Sequence, residues 1–484
     1  MYNKGFPKWF IFHSFLFSIL IFGGFFIFGS LSRIRIISAF FIIITFLSIT
    51  PIVIKIFVSY SSKIFIWRLF LFSFLLRFSF IFILYFLFKY FTGAPFVLGE
   101  GFDDHTYHIL GIQIAERWKQ GDFSMLEPIA WVMSFNYLGY PAFVGALYYL
   151  LGPSTILARV ANCIIGSFIV LLTYKIGKEI WGESVGRTAG ILAMLYPLMI
   201  FYSAVQNKDT ILVFLVLIVI YYIIKLGTKR KIKFWELGFI VGALFSLFTF
   251  RTVVAVIILF SILIYSIYPS GNLEGQKVGK RLIKISIGIF IILVSLFLLI
   301  KIGGEKAAFK RIIERIIVGY GYAEYRASRW GIAGSRISSF RSIYLFLGLA
   351  FFAPFPTLVD ILLDTTSAPI RSEYYFIEAT FIWNIFSFFA LIGLINSMKN
   401  KSSESLLLWF FTLSYLFVLA QSNFIMHERF RLVIAPFLII FTALGLHSEI
   451  LKKERFLLSI LYFFAIAILI IGWNYVRLAG RGMI

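Results

Sequence analysis

Residues 64–91 read IFIWRLFLFSFLLRFSFIFILYFLFKYF, an apolar run too long for a β-strand. About 20 apolar residues in a helix cross a hydrocarbon core of roughly 30 Å, so this run predicts a membrane span. Further apolar runs follow the same pattern and lie at 9–31, 36–58, 155–174, 185–203, 210–226, 236–250, 252–268, 283–302, 377–397, 405–425, 430–449 and 456–476. We therefore expect an all-α polytopic membrane protein with about 12–14 transmembrane helices.

The composition excludes a soluble globular protein. Of the 484 residues, 61% are hydrophobic and 14% are charged, whereas soluble domains are roughly 45–50% apolar and about 25% charged. The single cysteine, Cys163, rules out an intrachain disulfide framework and a cysteine-based metal cluster. Lys4 and Lys8 precede the first apolar run without a small-residue cleavage pattern, which favours a retained span over a signal peptide.

The net charge of +23 is distributed between the apolar runs. No soluble basic domain collects it, so nucleic acid is not expected as a partner. Short loops rich in Lys and Arg mark the cytoplasmic side of a membrane protein. The residues that mark such loops are Lys225, Lys229, Arg230, Lys231, Lys233, Lys277, Lys280, Arg281, Lys284, Lys399, Lys401, Lys452, Lys453 and Arg455.

Counting spans from these loops places the regions 92–136, 303–376 and 426–430 on the outer side. This requires that two short proline-containing runs, 137–151 and 342–359, dip into the membrane without crossing it. The outer regions differ in charge, since the first starts with acidic residues and the second is rich in Lys and Arg. The positive-inside rule does not apply to long loops, so one explanation is that a long cationic loop is simply tolerated on the outer side. The other is that the cations meet an anion at the outer leaflet.

The acidic pair Asp103-Asp104 begins a predicted amphipathic helix. A helix of this kind between spans is expected to lie in the plane of the membrane interface. Its apolar face has helical spacing and consists of Tyr107, Leu110, Gly111, Ile114, Ala115 and Trp118.

One carboxylate of the pair can cap the helix, but capping does not account for both. The second is free to accept a proton from a hydroxyl or to bind a divalent cation, and both roles suit glycosyl transfer. His105 and His108 are spaced i and i+3 and offer an incomplete ligand set. A divalent metal ion is therefore left open as a cofactor.

Several motifs follow one another along the chain. After the span at 64–91 these are Asp103-Asp104-x-x-Tyr107, the amphipathic helix, Tyr140-Pro141, Ala158-Arg159-x-x-Asn162-x-x-x-Gly166 and Tyr174-x-x-Gly177-x-x-x-Trp181-Gly182. Nearer the C-terminus stand Phe352-Ala353-Pro354-Phe355-Pro356 and Glu428-Arg429-Phe430-Arg431, followed by Pro436.

This order resembles the GT-C membrane glycosyltransferases, in the branch of the protein O-mannosyltransferases and the aminoarabinose transferases of lipid A (glycosyltransferase family 39-like). The resemblance runs from about 64 to 270 and is patchier beyond. That family usually carries Asp-Glu in its first outer loop, so Asp104 departs from the pattern and Asp103 is the better catalytic candidate.

The resemblance also implies a division of the chain. An extra N-terminal hairpin (1–63) precedes a GT-C-like transmembrane module (64–302), whose outer loop 92–136 is the catalytic one. An outer cationic loop with a membrane-dipping segment (303–376) and the C-terminal transmembrane helices (377–484) complete the chain.

The resemblance further implies a polyprenyl-phosphate-linked sugar donor and a lipid, glycan or protein acceptor, in envelope glycosylation at the extracytoplasmic face of the cytoplasmic membrane. The leaving phosphate needs cations more than a proton. The predicted catalytic residues are Asp103 and Asp104, the predicted phosphate-binding residues are Lys208, Arg251, Arg429 and Arg431, and the supporting residues are Tyr107, Arg159, Asp209 and Glu428.

Structural explanations stay open for the cations: a snorkelling lysine at a helix start for Lys208, a turn between two helices for Arg251, and a solvated interfacial cluster for Arg429 and Arg431. The leading hypothesis is a hexosyl- or pentosyltransferase with Asp103 as general base or acceptor-orienting carboxylate. The alternatives are a transporter or flippase of lipid-linked saccharides and an O-antigen polymerase or ligase.

Overall fold

The computed structural model describes residues 6–28, 33–96, 103–123, 138–228, 234–267, 351–356, 377–399, 402–421 and 428–479. Within these ranges the regular structure is entirely helical, so the all-α expectation is confirmed. The predicted span 283–302 and most of the cationic loop 303–376 lie outside the described residues.

The described helices are α1 (Lys8–Phe28), α2 (Arg33–Val58), α3 (Ser62–Thr92), α4 (Asp103–Lys119), α5 (Gly139–Leu151), α6 (Thr155–Trp181), α7 (Glu183–Leu195), α8 (Pro197–Ala204), α9 (Asp209–Thr228), α10 (Phe234–Ile267), α11 (Ile377–Lys399), α12 (Ser403–Gln421), α13 (Glu428–Arg431), α14 (Ala435–His447) and α15 (Arg455–Ala479).

Among the described residues, eight helices are long and apolar enough to cross a membrane, or nine if the bent pair α7 and α8 forms one span. The chain is therefore a multi-pass membrane protein. The predicted total of about 12–14 spans includes runs outside the described ranges, so that number stays a prediction.

Helix α5 has 13 residues, about 20 Å at 1.5 Å per residue, which is shorter than a hydrocarbon core of roughly 30 Å. It packs on the amphipathic helix α4 through two glycines. A Cβ added at Gly111 would lie 2.4 Å from Cγ1 of Val144, and one at Gly145 would lie 2.5 Å from Cγ2 of Ile114. This close packing fixes α4 and the acidic pair at its start; whether 137–151 only dips into the membrane stays a prediction.

The C-terminal helices α11 and α14 also cross at a pair of glycines. A Cβ added at Gly393 would lie 1.8 Å from the carbonyl oxygen of Phe441, and one at Gly445 would lie 1.9 Å from that of Phe389. Only glycine allows backbones to approach so closely, as at small-residue crossings of membrane helices. The N-terminal helix α1 packs on the same unit, since Phe17 stacks on Phe381 with ring centroids 5.0 Å apart.

Helical geometry is interrupted at two places near the candidate site described below. The run predicted as two helices, 236–250 and 252–268, is interrupted at Arg251 as predicted: α10 consists of two helical stretches joined by a kink at this residue, whose backbone is extended (φ −164°, ψ 96°). The second interruption lies between α7 and α8, which meet at Tyr196-Pro197 with a bend of 55°. The short segment 205–208 leads from α8 to α9.

Candidate active site

Arg429 joins two carboxylates that are far apart in the sequence. Its terminal NH2 nitrogen lies 2.6 Å from Oδ2 of Asp103, and its Nε lies 2.6 Å from Oδ2 of Asp209. The Asp103 side chain is 53% exposed, whereas that of Asp209 is fully buried. The structure thus brings a reachable carboxylate and a buried one to the same guanidinium.

Burial opposes the charge on Arg429, but the attraction of Asp209 and Asp103 raises its pKa above the usual value. Arg429 therefore stays positively charged at any physiological pH. Arg429 is thus a permanent cation in α13, and its guanidinium N–H groups can donate to an incoming anion.

Arg251 is the second cation at the site. Its NH2 nitrogen lies 3.8 Å from Oδ1 of Asp209, and its guanidinium stands over the ring of Phe430, 4.7 Å from the centroid. The kink in α10 occurs at this residue. The predicted interruption at Arg251 is thus a break in the helix that coincides with an ion pair.

Lys208 is the third cation and is buried, with 2% of its surface exposed. Burial and, to a smaller extent, repulsion from Arg251 lower its pKa to about 7, although attraction to Asp209 partly opposes the shift. Near neutral pH Lys208 therefore exists in both the protonated and the neutral form, and an anion bound beside it would favour the protonated form.

Two asparagines hold the segment between α8 and α9, and neither was among the predicted site residues. Arg429 donates from NH2 to Oδ1 of Asn207 at 3.0 Å. Asn162 of α6 donates from Nδ2 to the carbonyl oxygens of Val205 at 2.8 Å and Asn207 at 3.0 Å. Asn162 stands in the motif Ala158-Arg159-x-x-Asn162, so a signal for it was present in the sequence.

Two helices begin at the site. Asp103 is the first residue of α4 and Asp209 is the first residue of α9. The backbone N–H groups of a helix start carry partial positive charge, which stabilises carboxylates and phosphate groups nearby. Both helix starts therefore add to the positive potential of Arg251, Arg429 and Lys208.

Asp104 differs from Asp103 in burial, with only 4% of its surface exposed. Its Oδ1 accepts the backbone N–H of His105 at 3.1 Å, and its charge attracts the guanidinium of Arg159. Arg159 is fully buried in α6 and donates to the carbonyl oxygen of Pro95. The second carboxylate of the pair thus faces inward, as a structural cap would.

Tyr107 lies one turn along α4 from the acidic pair and is buried. Burial raises the pKa of its hydroxyl, so Tyr107 stays protonated and is not a base. Its ring meets that of Tyr140 edge to face, with centroids 4.8 Å apart. Of the predicted apolar face of α4, Tyr107, Leu110, Gly111, Ile114 and Ala115 are buried, and Trp118 is partly buried against the same cluster.

The two histidines of α4 do not form a metal site with other described residues. Nδ1 of His108 lies 2.8 Å from the hydroxyl of Tyr148, and the ring of His105 packs edge to face on Phe96. No group of three His, Cys, Asp or Glu residues able to hold a metal ion occurs among the described residues.

Arg431 stands apart from the cluster, although it lies only two residues from Arg429. It donates from NH2 to the carbonyl oxygen of Phe351 at 3.1 Å, and its guanidinium lies 5.3 Å from the ring centroid of Trp383. Burial lowers its pKa to about 10. Together with the buried Glu428, Arg431 lines a small cleft against α11 and α14, so its contacts connect helices.

Comparison with known families supports the resemblance stated above. Residues 138–300 match the model of the family described as dolichyl-phosphate-mannose-protein mannosyltransferase. The GT-C resemblance is therefore confirmed over this stretch, which contains Arg159, Lys208, Asp209 and Arg251. Asp103 and Arg429 lie outside it. No curated protein matches the sequence significantly.

Solved structures of an oligosaccharyltransferase from Archaeoglobus fulgidus are similar at low identity. The apo form is 11% identical with a TM-score of 0.44, and the match covers 87% of this chain and 56% of that chain. The archaeal oligosaccharyltransferase AglB in complex with an inhibitory peptide and a dolichol-phosphate is 11% identical with a TM-score of 0.42, at the same coverage. The chain thus spans little more than half the length of these proteins.

Proposed function

We propose that this protein is a glycosyltransferase that moves a sugar from a polyprenyl-phosphate carrier to an acceptor at the outer face of the cytoplasmic membrane. One observation carries the proposal. A half-exposed carboxylate, Asp103, lies 2.6 Å from Arg429, and Arg429 and Arg251 both approach the buried Asp209. The family match over residues 138–300 supports a lipid-phosphate sugar as the donor.

The cations suit the leaving group. When the bond between the anomeric carbon and the phosphate oxygen breaks, the electron pair stays on that oxygen and the carrier leaves as a lipid phosphate. Preorganised cations stabilise this developing charge without reorganisation. Arg429 offers its forked donors, Arg251 adds a second guanidinium and Lys208 acts as a point charge. Asp209 keeps the two arginines in place before the donor binds.

Asp103 is placed to act on the acceptor. Its exposure leaves one side of the carboxylate open to a hydroxyl, whose oxygen forms the new bond to the anomeric carbon while its proton passes to Asp103. Attack opposite to the leaving phosphate inverts the anomeric configuration. In this proposal, contacts outside the cluster select the sugar, hexose or pentose, and the class of acceptor.

Asp104, Arg159 and Tyr107 act as positioning residues in this proposal. Asp104 is buried and faces Arg159, so it holds the first turn of α4 against α6. Tyr107 packs against Tyr140 of α5. These contacts fix the direction in which the neighbouring Asp103 points. The two carboxylates of the pair are thus divided between a reacting group and an anchoring group.

The test compares purified wild-type protein with Asp103→Asn in nanodiscs. A panel of undecaprenyl-phosphate sugars serves as donor and an envelope extract supplies acceptors, and the release of undecaprenyl phosphate is measured. We expect Asp103→Asn to lower the rate by roughly 10²–10⁴, the usual contribution of a general base. It should fold normally because Asp209 and Asn207 still hold Arg429.

Glu116→Gln is the matched control, since Glu116 is an exposed carboxylate on the same helix. It should transfer sugar at the wild-type rate. Near-normal transfer by Asp103→Asn would refute the assignment of the base. Release of no undecaprenyl phosphate by the wild type with every donor would refute the transferase. Release by the wild type would exclude a flippase, because a nanodisc offers no second compartment in which a flippase could act.

A further inference from the structure

We infer that Arg77 is a positioning residue, which fixes the break between α7 and α8 and thereby places segment 205–208 at the site. The inference rests on the proposed function only in naming what that segment binds. Arg77 itself touches none of the clustered ions at Asp103, Asp209 and Arg429.

Arg77 occupies the middle of the 31-residue helix α3 and is fully buried. A charged side chain at such a depth is costly in a membrane and is normally retained for a function. Among the described residues no carboxylate pairs with it. Its described hydrogen-bond acceptors are instead neutral oxygens, which come from its own helix and from both sides of a broken element.

The first set of acceptors lies at the end of α7. Arg77 donates from NH2 to the carbonyl oxygen of Ala193 at 3.3 Å and from NH1 to that of Met194 at 3.4 Å. In a continuous helix the carbonyl of Ala193 would accept the N–H four residues ahead. That residue is Pro197, which has no N–H. Arg77 therefore supplies a donor that the proline removes, at a place where lipid offers none.

The second acceptor lies on the other side of the break. Nε of Arg77 donates to the hydroxyl of Ser203 in α8 at 3.4 Å. Gly166 of α6 makes room for this contact, because a Cβ there would lie 2.3 Å from Oγ of Ser203 and 3.1 Å from Nε of Arg77. One guanidinium thus contacts the end of α7 and the body of α8, and it sets the bend of 55° between them.

The remaining donors anchor Arg77 to its own helix. NH1 donates to the hydroxyl of Ser73 at 2.7 Å and to its carbonyl oxygen at 3.2 Å. The guanidinium therefore has little freedom to follow α7 or α8 if either moves. It is a fixed point in α3 against which the broken element is held.

The direction of α8 matters because segment 205–208 follows it immediately. This segment presents Asn207 to Arg429 and carries Lys208, and it is held by Asn162 of α6 and Tyr148 of α5. If the break loosens, the end of α8 moves and the segment moves with it. Loss of Arg77 should therefore disturb the anion-binding side of the site at a distance.

The direct test is hydrogen exchange of the wild type and Arg77→Met in nanodiscs, without any donor. We expect the amides of residues 205–209 to exchange about tenfold faster in Arg77→Met, since exchange reports local opening. Arg68→Met is the matched control, because Arg68 lies on the same helix and its described contact is the ring of Tyr60. Its exchange over 205–209 should equal that of the wild type.

Binding of undecaprenyl-phosphate-glucose, measured between pH 6 and 9, separates positioning from general loosening. We expect Arg77→Met to weaken binding by about ten- to a hundred-fold and to flatten its dependence on pH, because Lys208 no longer meets the phosphate. Arg77→Lys keeps the charge and three donors and should recover part of the affinity. If Arg77→Met does not fold, Ser203→Ala removes the contact of Arg77 with α8, together with the bond from the Ser203 hydroxyl to the carbonyl oxygen of Met199 one turn earlier in α8. It should speed exchange over 205–209 by about two- to threefold.

Wild-type exchange over 205–209 in folded Arg77→Met, or in Ser203→Ala if Arg77→Met does not fold, would overturn the inference. So would equal acceleration in Arg68→Met. Failure of the wild type to bind the lipid would count against the proposed function alone, because the exchange experiment needs no lipid.

Discussion

Asp209→Asn is the most informative single substitution at this site. Asn has nearly the same shape as Asp, so the change removes charge while leaving the packing of α9 intact. In the wild type the fully buried Asp209 carboxylate accepts from Arg429 at 2.6 Å and lies 3.8 Å from Arg251. The substitution therefore removes the ion pair of Arg251 and leaves Arg429 with Asp103 as its carboxylate partner.

Removing one partner of a buried ion pair usually costs about 3–5 kcal/mol. We expect the low end of that range, about 3 kcal/mol, because Arg429 keeps Asp103 and the amide oxygen of Asn207. The attraction of Asp209 also supports the charge on Lys208. In Asp209→Asn the pKa of Lys208 should fall below about 7, and donor binding should move to lower pH.

The assay measures thermal unfolding in detergent and donor KM as a function of pH, for wild type, Asp209→Asn and Glu236→Gln. Glu236 is the matched control, since it is a buried carboxylate 2.7 Å from Lys225 and away from the site. Glu236→Gln should lower stability without moving the pH profile. Wild-type stability together with a wild-type pH profile in Asp209→Asn would refute the cluster as an electrostatic unit, and so would an equal shift in Glu236→Gln.

Three further predictions follow from particular contacts. Binding of undecaprenyl-phosphate-glucose should weaken as pH rises from 7 to 9, because burial lowers the pKa of Lys208 to about 7 and only protonated Lys208 attracts phosphate. The phosphodiester of this lipid keeps the same charge over that range. In a binding titration, Lys208→Met should therefore abolish the dependence of affinity on pH. Asp104→Asn should lower the unfolding temperature more, and kcat less, than Asp103→Asn, since Asp104 is buried and faces inward. Gly393→Ala should destabilise the α11–α14 crossing by at least about 2 kcal/mol, whereas Gly472→Ala, with nothing within 4 Å of the added Cβ, should unfold at or slightly above the wild-type temperature.

The sign of the Lys208 effect on stability is opposite to its effect on binding. Below about pH 7 the folded and unfolded chains both carry the proton, so the cost of burying the charge is fully present. Between pH 7 and the usual lysine value the unfolded chain alone holds the proton, so stability rises with pH. Lys208→Met should remove this rise. Tighter binding of the diester at pH 9 than at pH 6 would contradict the role given to Lys208.

The sequence was sufficient to predict the helical class, the amphipathic helix α4 and the meeting of acidic and basic residues. Apolar runs fix spans through length alone, and the 3.6-residue period identifies the buried face of α4. The structure places Asp103 2.6 Å from Arg429 and Arg251 3.8 Å from Asp209, while the catalytic and phosphate-binding roles of these residues stay predictions. The expectation that they share one side followed from counting spans between loops, which needs no knowledge of packing.

Other features depend on side-chain direction and long-range contact, which no local pattern encodes. Arg429 and Arg431 look equivalent in Glu428-Arg429-Phe430-Arg431, but α13 is a single helical turn on which residues two apart lie on different faces. Arg429 therefore meets Asp209, and Arg431 meets Phe351. The contact of Arg77 with Ala193, 116 positions along the chain, is equally invisible in the sequence.

The sharing of Arg429 has a kinetic consequence. In the structure one guanidinium pairs with Asp103, and in the proposed mechanism the same guanidinium binds the leaving phosphate. A lipid phosphate that takes over this guanidinium leaves Asp103 without its counterion, ready for a proton from the acceptor. Coupling of this kind is reciprocal, so protonation of Asp103 by an acceptor would release Arg429 toward the phosphate. Binding of the donor would then increase the reactivity of Asp103 as a base, whereas the empty site keeps that carboxylate paired with Arg429.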